Sequence, residues 1–448
     1  MEIVLGFFRL NKPGGAEHYT LTAAEQLQRL GHGVTILVEE VGQMAELARR
    51  RGLRVTAVEG VLPDDADVLY AQETMSAYRL AARYPGVPLA YHVHAVDFVL
   101  SVPPQVPDIV SAVVTMHDRV ERQARALGVQ APIVRLRQPV DLERFSPRGS
   151  LRQPPRRVLA LGNYLHGDRD RVLDDACSET GLELVRIGVH RGNDVLESQA
   201  VLNDTDIVVG KARVIVEAMA CGRAAYVYDV TGSDGWVTPE SYPRLAADNF
   251  SGQTGTPAVD LDRFRSDLSL YRPDMGVANR ELAIVNHSAN RHAVELVELF
   301  QSLAPARTPV GAPLREMGRL VRLQWQTEER AFGLAGEARV VREELQRVQQ
   351  RAAELEQEAA RVPQLEQAAA QVPLLEARIR ELEQWSHELE AGIHELEAGI
   401  HERDAGIREL EAAHTKSAEA LQHVLRQRRV QLGIALARPL DLFRRRRR

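Results

Sequence analysis

The stretch EIVLGFFRLNKPGGAEHYTLTAAEQLQRLGHGVTILV, Glu2 to Val38, decides how the rest of the chain is read. An apolar run, EIVLGFF, leads through a Pro-Gly-Gly loop into a segment whose apolar positions Leu21, Ala24, Leu27 and Leu30 fall at helical spacing. A second apolar run, GVTILV, follows. Strand, helix and strand in that order form a βαβ unit, which places two parallel strands side by side in one sheet. Gly14 and Gly15 stand where the first strand hands over to the helix. Glycines there let a backbone approach a ligand closely, and the helix N-terminus favours negative charge, so phosphate is a natural guest. A tight turn is the alternative, and the absence of a G-x-G-x-x-G argues against a dinucleotide fingerprint.

Working outward, the same rhythm continues through LRVTAV, DVLYAQ, PLAYHVH, SAVVTM and PIVRL, giving a first parallel α/β domain over residues 1–146. Proline and arginine then crowd FSPRGSLRQPPRR, and residues 147–156 read as a linker. RRVLALG, LELVRIGV, DIVVG and AAYVYDV restart the pattern in a second, smaller domain over 157–304. The fold class is therefore α/β, with two Rossmann-like parallel-sheet domains. Ligands of such sheets sit outside the carboxyl ends of the strands, and two sheets facing one another make a cleft.

From about Leu314 the composition turns to Glu, Gln, Arg, Ala and Leu. Leu345, Val348, Ala352, Leu355, Ala359 and Val362 alternate three and four apart, and HELEAGI-HELEAGI-HERDAGI-RELEAAH puts Leu389, Ile393, Leu396, Ile400, Ile407 and Leu410 on one stripe. Residues 314–425 thus read as a coiled coil able to pair two copies or bind a partner helix, with a solvated single helix as the alternative. Pro363 and Pro373 predict a kink or break. Gly392, Gly399 and Gly406 each cost about 1 kcal/mol against alanine, which makes the coil weak. The basic amphipathic ending, residues 426–448, suits an anionic membrane surface; a solvated tail is the alternative.

Composition narrows the class. The 448 residues carry 26% charged and 44% hydrophobic side chains and a net charge of −6, which argues against a dedicated nucleic-acid binder. Two cysteines, Cys177 and Cys221, make no disulfide framework, and the sequence opens without a basic leader. A cytoplasmic protein is expected, peripheral at the inner face of the plasma membrane if the tail binds.

Taken together and in order, PGGAEHYTLTAAEQLQRLGHGVTILV, DVLYAQETMSAYRLAARYPGVPLAYHVHAVD, SAVVTMHDRVERQARALGV with RQPVDLERFSP, and VEAMACGRAAYVYD resemble family-4 glycosyltransferases of the two-domain GT-B fold over about the first 300 residues. The resemblance implies transfer of a sugar from a nucleotide-sugar donor to a cell-envelope glycan or glycolipid, with retention and without a metal or other cofactor. It implies His94 as the histidine that positions the sugar and the reacting centre, a structural histidine being the alternative; Asp97 follows closely, placed to orient an imidazole or to contact a sugar hydroxyl. It implies Glu217 as the acceptor of ribose hydroxyls, beside Gly14 and Gly15 as the close backbone approach; Lys211 at the strand exit is in reach of the diphosphate, as is Arg169 in LGNYLHGDRDRVL, and an exposed helix acid and a surface base are the alternatives for Glu217 and Lys211. TGSDGWVTPESYP resembles a loop over the donor, with an ordinary turn cluster as the alternative, and neighbouring His92 is expected on the opposite side of its strand. Three departures stand out: Val209 occupies the place of a first family glutamate, Arg169 and Arg171 stand where the family has a Gly-Arg and a later Lys-Gly, and the second domain looks shortened between LELVRIGV and DIVVG. They sustain a second expectation, a degenerate GT-B scaffold that binds sugar nucleotides and recruits partners through its coil.

Overall fold

The computed structural model describes all residues except 58, 96–97, 107, 163–164, 166–167, 189–190, 230–231, 254–260, 305–311, 362–371 and 445–448. Asp97, Val362 and Pro363 lie outside the described residues, as do the side chains of Ala359, Leu410 and 421–448. The chain divides into two compact units, Met1–Val321 and Arg322–Arg448.

The first unit holds two sheets. Strands β1 (Glu2–Leu10), β2 (Gly33–Val41), β3 (Arg54–Thr56), β4 (Val68–Ala71), β5 (Leu89–Val93), β6 (Ala112–Thr115) and β7 (Ile133–Arg135) lie in the order β3-β2-β1-β4-β5-β6-β7, every described pairing parallel. Helices α1 (Gly15–Arg29), α2 (Gln43–Arg50), α3 (Thr74–Arg83) and α4 (Asp118–Ala126) make crossovers. The order reverses between β1 and β4, and at such a switch point the loops leave a crevice at the carboxyl ends of the strands. Burial on both faces explains why β1 and β4 read as nearly unbroken apolar runs.

The second sheet runs β12-β11-β10-β8-β9, from β8 (Arg157–Leu161), β9 (Glu183–Ile187), β10 (Ile207–Gly210), β11 (Ala224–Asp229) and β12 (Gly232–Trp236). Its helices are α5 (Asp168–Thr180), the short α6 (Gln199–Asn203), α7 (Arg213–Ala220), α8 (Tyr242–Ala247), α9 (Leu261–Ser269), α10 (Asp274–Asn286) and α11 (Ala289–Ser302). Its switch point falls between β8 and β10. Only α6 is a regular described element between β9 and β10. Within the segment compared above to a loop over the donor, Gly232–Trp236 form strand β12, antiparallel to β11 and buried throughout, with the Trp236 indole donating to the Asp267 carbonyl at 2.7 Å. GSDGW gives no strand signal in the sequence, because its small and polar residues form neither an apolar run nor a period-2 pattern.

The chain passes between the domains twice, and the two passes lie together. Val140 N donates to His287 O at 2.8 Å, and Ala289 N to Val140 O at 3.0 Å. Helix α11 then leaves the second domain, whose sequence stretch contains it, and buries Ala293, Leu296 and Phe300 in the core of the first. The linker is held by Asp206, whose carboxylate accepts from the backbone N–H groups of Arg152, Arg156 and Arg157 at 2.8–3.2 Å.

The second unit is a helical hairpin made from the part of α12 (Ala312–Arg361) that follows Val321 and from α13 (Val372–Arg444). Arg342 reaches Glu390 at 2.8 Å, Gln324 reaches Asp404 at 3.1 Å and Arg403 reaches Thr327, so the helices run antiparallel. Ala338, Val341, Leu382 and Leu389 are buried between them, with Leu334, Leu345, Val348 and Ile393 packed alongside. Part of the stripe read as a seam for a second copy is thus used within the chain. Pro373 sits in the first turn of α13, where its missing N–H removes no intrahelical bond. Among the described residues, no helix is long and apolar enough to cross a membrane.

Candidate functional site

A cavity of about 260 Å³ opens where the carboxyl ends of the two sheets meet. Its first-domain wall is Pro13, Gly14, Gly15 and His18, at the exit of β1 and the start of α1. Its second-domain wall includes Leu161 and Gly162 after β8, Gly210 and Lys211 at the end of β10, and Arg213 and Glu217 on α7. Both switch points therefore face one space, which is where doubly wound sheets bind ligands.

On the first wall, Gly14 caps α1 in extended backbone, and a side chain there would collide with the Glu17 carboxylate, 2.2 Å from the position of a Cβ. Burial pushes the Glu17 carboxyl up to about 7 against the pull of its own backbone hydrogen bond and of Arg9. His18 is pushed down to about 3 by burial and by the nearby Arg213, Arg51 and Arg144. It is therefore a neutral ring at neutral pH.

Behind that wall lies a neutral polar network. The Tyr19 hydroxyl meets that of Tyr70 at 2.6 Å and His292 Nε2 at 2.8 Å, and Tyr70 reaches His92 Nδ1 at 2.6 Å. His94 Nε2 lies 2.9 Å from Gln72 Oε1, and burial holds the His94 ring down at about 3. The rings of His92 and His94 are 4.4 Å apart. That corrects the expectation that they face opposite ways: residues two apart on a strand share a face.

The second wall is built from charge. Arg213 Nε donates to Glu217 Oε1 at 2.7 Å, one helical turn along α7, and Ser198 Oγ donates to Glu217 Oε2 at 2.7 Å. Arg213 also reaches Thr22 of α1 at 3.1 Å and the Pro139 carbonyl at 3.4 Å, so one buried guanidinium ties α7 to the first domain and to the crossover. Ala212, the N-cap of α7, has φ 50° and ψ −122°, a conformation natural to glycine and strained in alanine. The strain turns the chain sharply out of β10, so that Lys211 and the first turn of α7 line the cavity.

Gly14, Gly15, Lys211 and Glu217 are thus brought together, while His94 and Arg169 lie outside the lining. Arg169 stands in the first turn of α5, where its carbonyl accepts from the hydroxyl of cavity-lining Tyr228 at 2.9 Å. Val209 is wholly buried inside β10 and does not reach the cavity. His18, Ser198 and Arg213 escaped the sequence reading. For Arg213 a signal existed in its spacing from Glu217, since an acid and a base four apart on a helix are neighbours. Nothing in the sequence marks the other two. Among the described residues, no group of three or more His, Cys, Asp or Glu side chains is placed to hold a metal ion.

Two facing Rossmann-type domains, a double crossover and a last helix that returns to the first domain settle the architecture. The fold is GT-B. No protein-family model matches the sequence, and no curated protein matches it either. Among solved structures, the GT-B body is similar to Anabaena HepE in complex with UDP and glucose, at 15% identity over 68% of this chain and 100% of that one, with a TM-score of 0.48. It is also similar to WaaG, a glycosyltransferase involved in lipopolysaccharide biosynthesis, at 11% identity over 67% and 100%, with a TM-score of 0.46. Acinetobacter baumannii MurG follows at 16% identity over 68% and 100%, with a TM-score of 0.39. Likenesses of this strength decide neither donor nor acceptor.

Proposed function

We propose that the GT-B body is a glycosyltransferase that moves a sugar from a nucleotide-sugar donor to a cell-envelope glycan or glycolipid, with retention. The observation that carries this reading is the single cavity lined by a glycine-rich helix start from one domain and by Lys211, Glu217 and the start of α7 from the other. A helix N-terminus and a lysine suit a diphosphate, and they offset the charge that develops on it as the sugar departs. Glu217 receives the ribose hydroxyls. A carboxylate offers about four lone-pair sites, of which Arg213 and Ser198 use two. Arg169 steadies the diphosphate wall through α5. His94, held neutral, orients the sugar from the first-domain side, and catalysis rests on positioning and on closure of the domains instead of a metal or other cofactor. The protein works in the cytoplasm, with the basic tail holding it at the inner membrane face and the outer surface of the hairpin open to a partner helix.

A second reading has its own observation. Both Glu217 oxygens already hold protein partners and Val209 is core, which suits a scaffold that binds a sugar nucleotide without turning it over. Turnover separates the two. The full chain is incubated with nucleotide-sugars and a membrane glycolipid extract, and release of nucleoside diphosphate is followed. Acceptor-dependent release, lost in Lys211→Ala, is the expected result; donor binding with no release under any acceptor would leave the scaffold.

A further inference from the structure

A second cavity, of about 170 Å³, lies beside the double crossover. Arg135 and Arg137 enter it from the exit of β7, and Arg291 enters from the first turn of α11; Ser288, the N-cap of that helix, and His292 also line it, as does Glu295. Three guanidiniums face one carboxylate within the lining. Arg135 is engaged by Asp118 and Glu121 of α4, Arg137 by the Asn286 side chain and Arg291 by the Val285 carbonyl. Each of these contacts uses part of a five-donor fork, and the Arg137 and Arg291 contacts are to neutral oxygens that leave the positive charge uncompensated. The α11 N-terminus adds its own partial positive charge. On the floor, the His292 ring is buried, at 4% exposed, beside the Arg137 backbone.

We propose that this cavity is a binding site for a phosphate-bearing anion, separate from the donor cavity and set at the hinge between the domains. The chemistry is that of a phosphate group held by paired guanidiniums at a helix start. Its source is either free phosphate or the headgroup of an anionic lipid. The site bridges residues before one crossover, Arg135 and Arg137, and residues after the other, Ser288 and Arg291, where Val140 pairs with Ser288. The His292 Nε2 contact to Tyr19 links its floor to α1, which starts at the donor cavity. Occupancy would therefore be sensed where the two domains pivot.

The test is a titration of inorganic phosphate into the full chain, in wild type, Lys211→Ala and the double variant Arg137→Ala/Arg291→Ala. A parallel arm measures co-sedimentation with phosphatidylcholine vesicles with and without phosphatidylglycerol. Both arginines are exposed at the rim, so the double variant is expected to fold, and Arg137→Lys/Arg291→Lys checks for partial rescue. Phosphate binding that survives Lys211→Ala and weakens about tenfold or more in the double variant is the expected result and names the free anion. Arginine-dependent binding seen only with the anionic vesicles names the lipid. Because the basic tail is itself expected to hold anionic vesicles, the lipid arm is read as the difference between wild type and the double variant, and the absence of an arginine-dependent component in both arms overturns the proposal. Failure here leaves the donor cavity untouched, because its readout is loss on Lys211→Ala.

Discussion

The two sides of the cavity are backed by opposite principles. On the first-domain side, Tyr19, Tyr70, His92, His94 and His292 form a buried network whose histidines burial keeps neutral. On the second-domain side, a buried ion pair, Arg213 with Glu217, crosses to Thr22 and Pro139. A neutral network fixes shape at low electrostatic risk, whereas a buried ion pair fixes shape only while both members are present. The first wall should therefore tolerate single changes better than the second.

The largest effect should come from breaking the charged wall. Glu217→Ala leaves Arg213 buried without its carboxylate, and urea denaturation should show a loss of about 3–5 kcal/mol. A loss below about 1 kcal/mol would mean that water reaches the guanidinium and the wall is not sealed. On the neutral side, Tyr19→Phe removes one hydroxyl that meets both Tyr70 and His292, and the same measurement should show a smaller loss of about 1–3 kcal/mol. A larger loss than Glu217→Ala would invert the comparison. Relieving the strained N-cap should act in the other direction, with Ala212→Gly raising stability by about 1 kcal/mol. If it lowers stability, the positive φ is not where the strain lies.

The smallest effect is a pH dependence confined to the first wall. With its carboxyl raised to about 7, Glu17 is mostly neutral below that pH and ionised above it, beside the helix start proposed to receive a diphosphate. Binding of a nucleotide-sugar, whose diphosphate diester keeps its charge, should weaken a few-fold between about pH 6 and about pH 8, and Glu17→Gln should flatten the change. The stability sign is the same. A raised carboxyl stabilises the fold fully below its unfolded value, and this contribution is lost as pH rises through about 7, so the variant should gain most at the alkaline end. A pH profile unchanged by Glu17→Gln would place the titration elsewhere.

Sequence reading found both parallel cores because strands such as β1 and β10, buried along most of their length, are nearly continuous apolar runs. It missed β12 because Gly232, Ser233 and Gly235 pack without an apolar signature. The return of α11 to the first domain was invisible for a different reason: an amphipathic helix announces that it has a partner, not which one. The same holds for the hairpin, where Leu345 and Leu389 were readable as a seam but their meeting within one chain was not. In the site, Gly14, Gly15, Lys211 and Glu217 were legible through local motif context. Ser198 and His18 reach the cavity only through tertiary packing, and the buried Gln72 beside His94 carries no sequence mark.

The most direct test of the central claim, that both walls together hold a nucleotide-sugar, is calorimetric titration of a donor panel into the full chain. It is run alongside Lys211→Ala and Gly14→Val, with folding checked by denaturation. The account predicts micromolar binding of one donor that weakens about tenfold or more in each variant, since one removes a charge at the second wall and the other fills the backbone approach at the first. Binding that either variant leaves intact would contradict a site shared between the two domains, and a folded chain that binds no donor would contradict the site altogether.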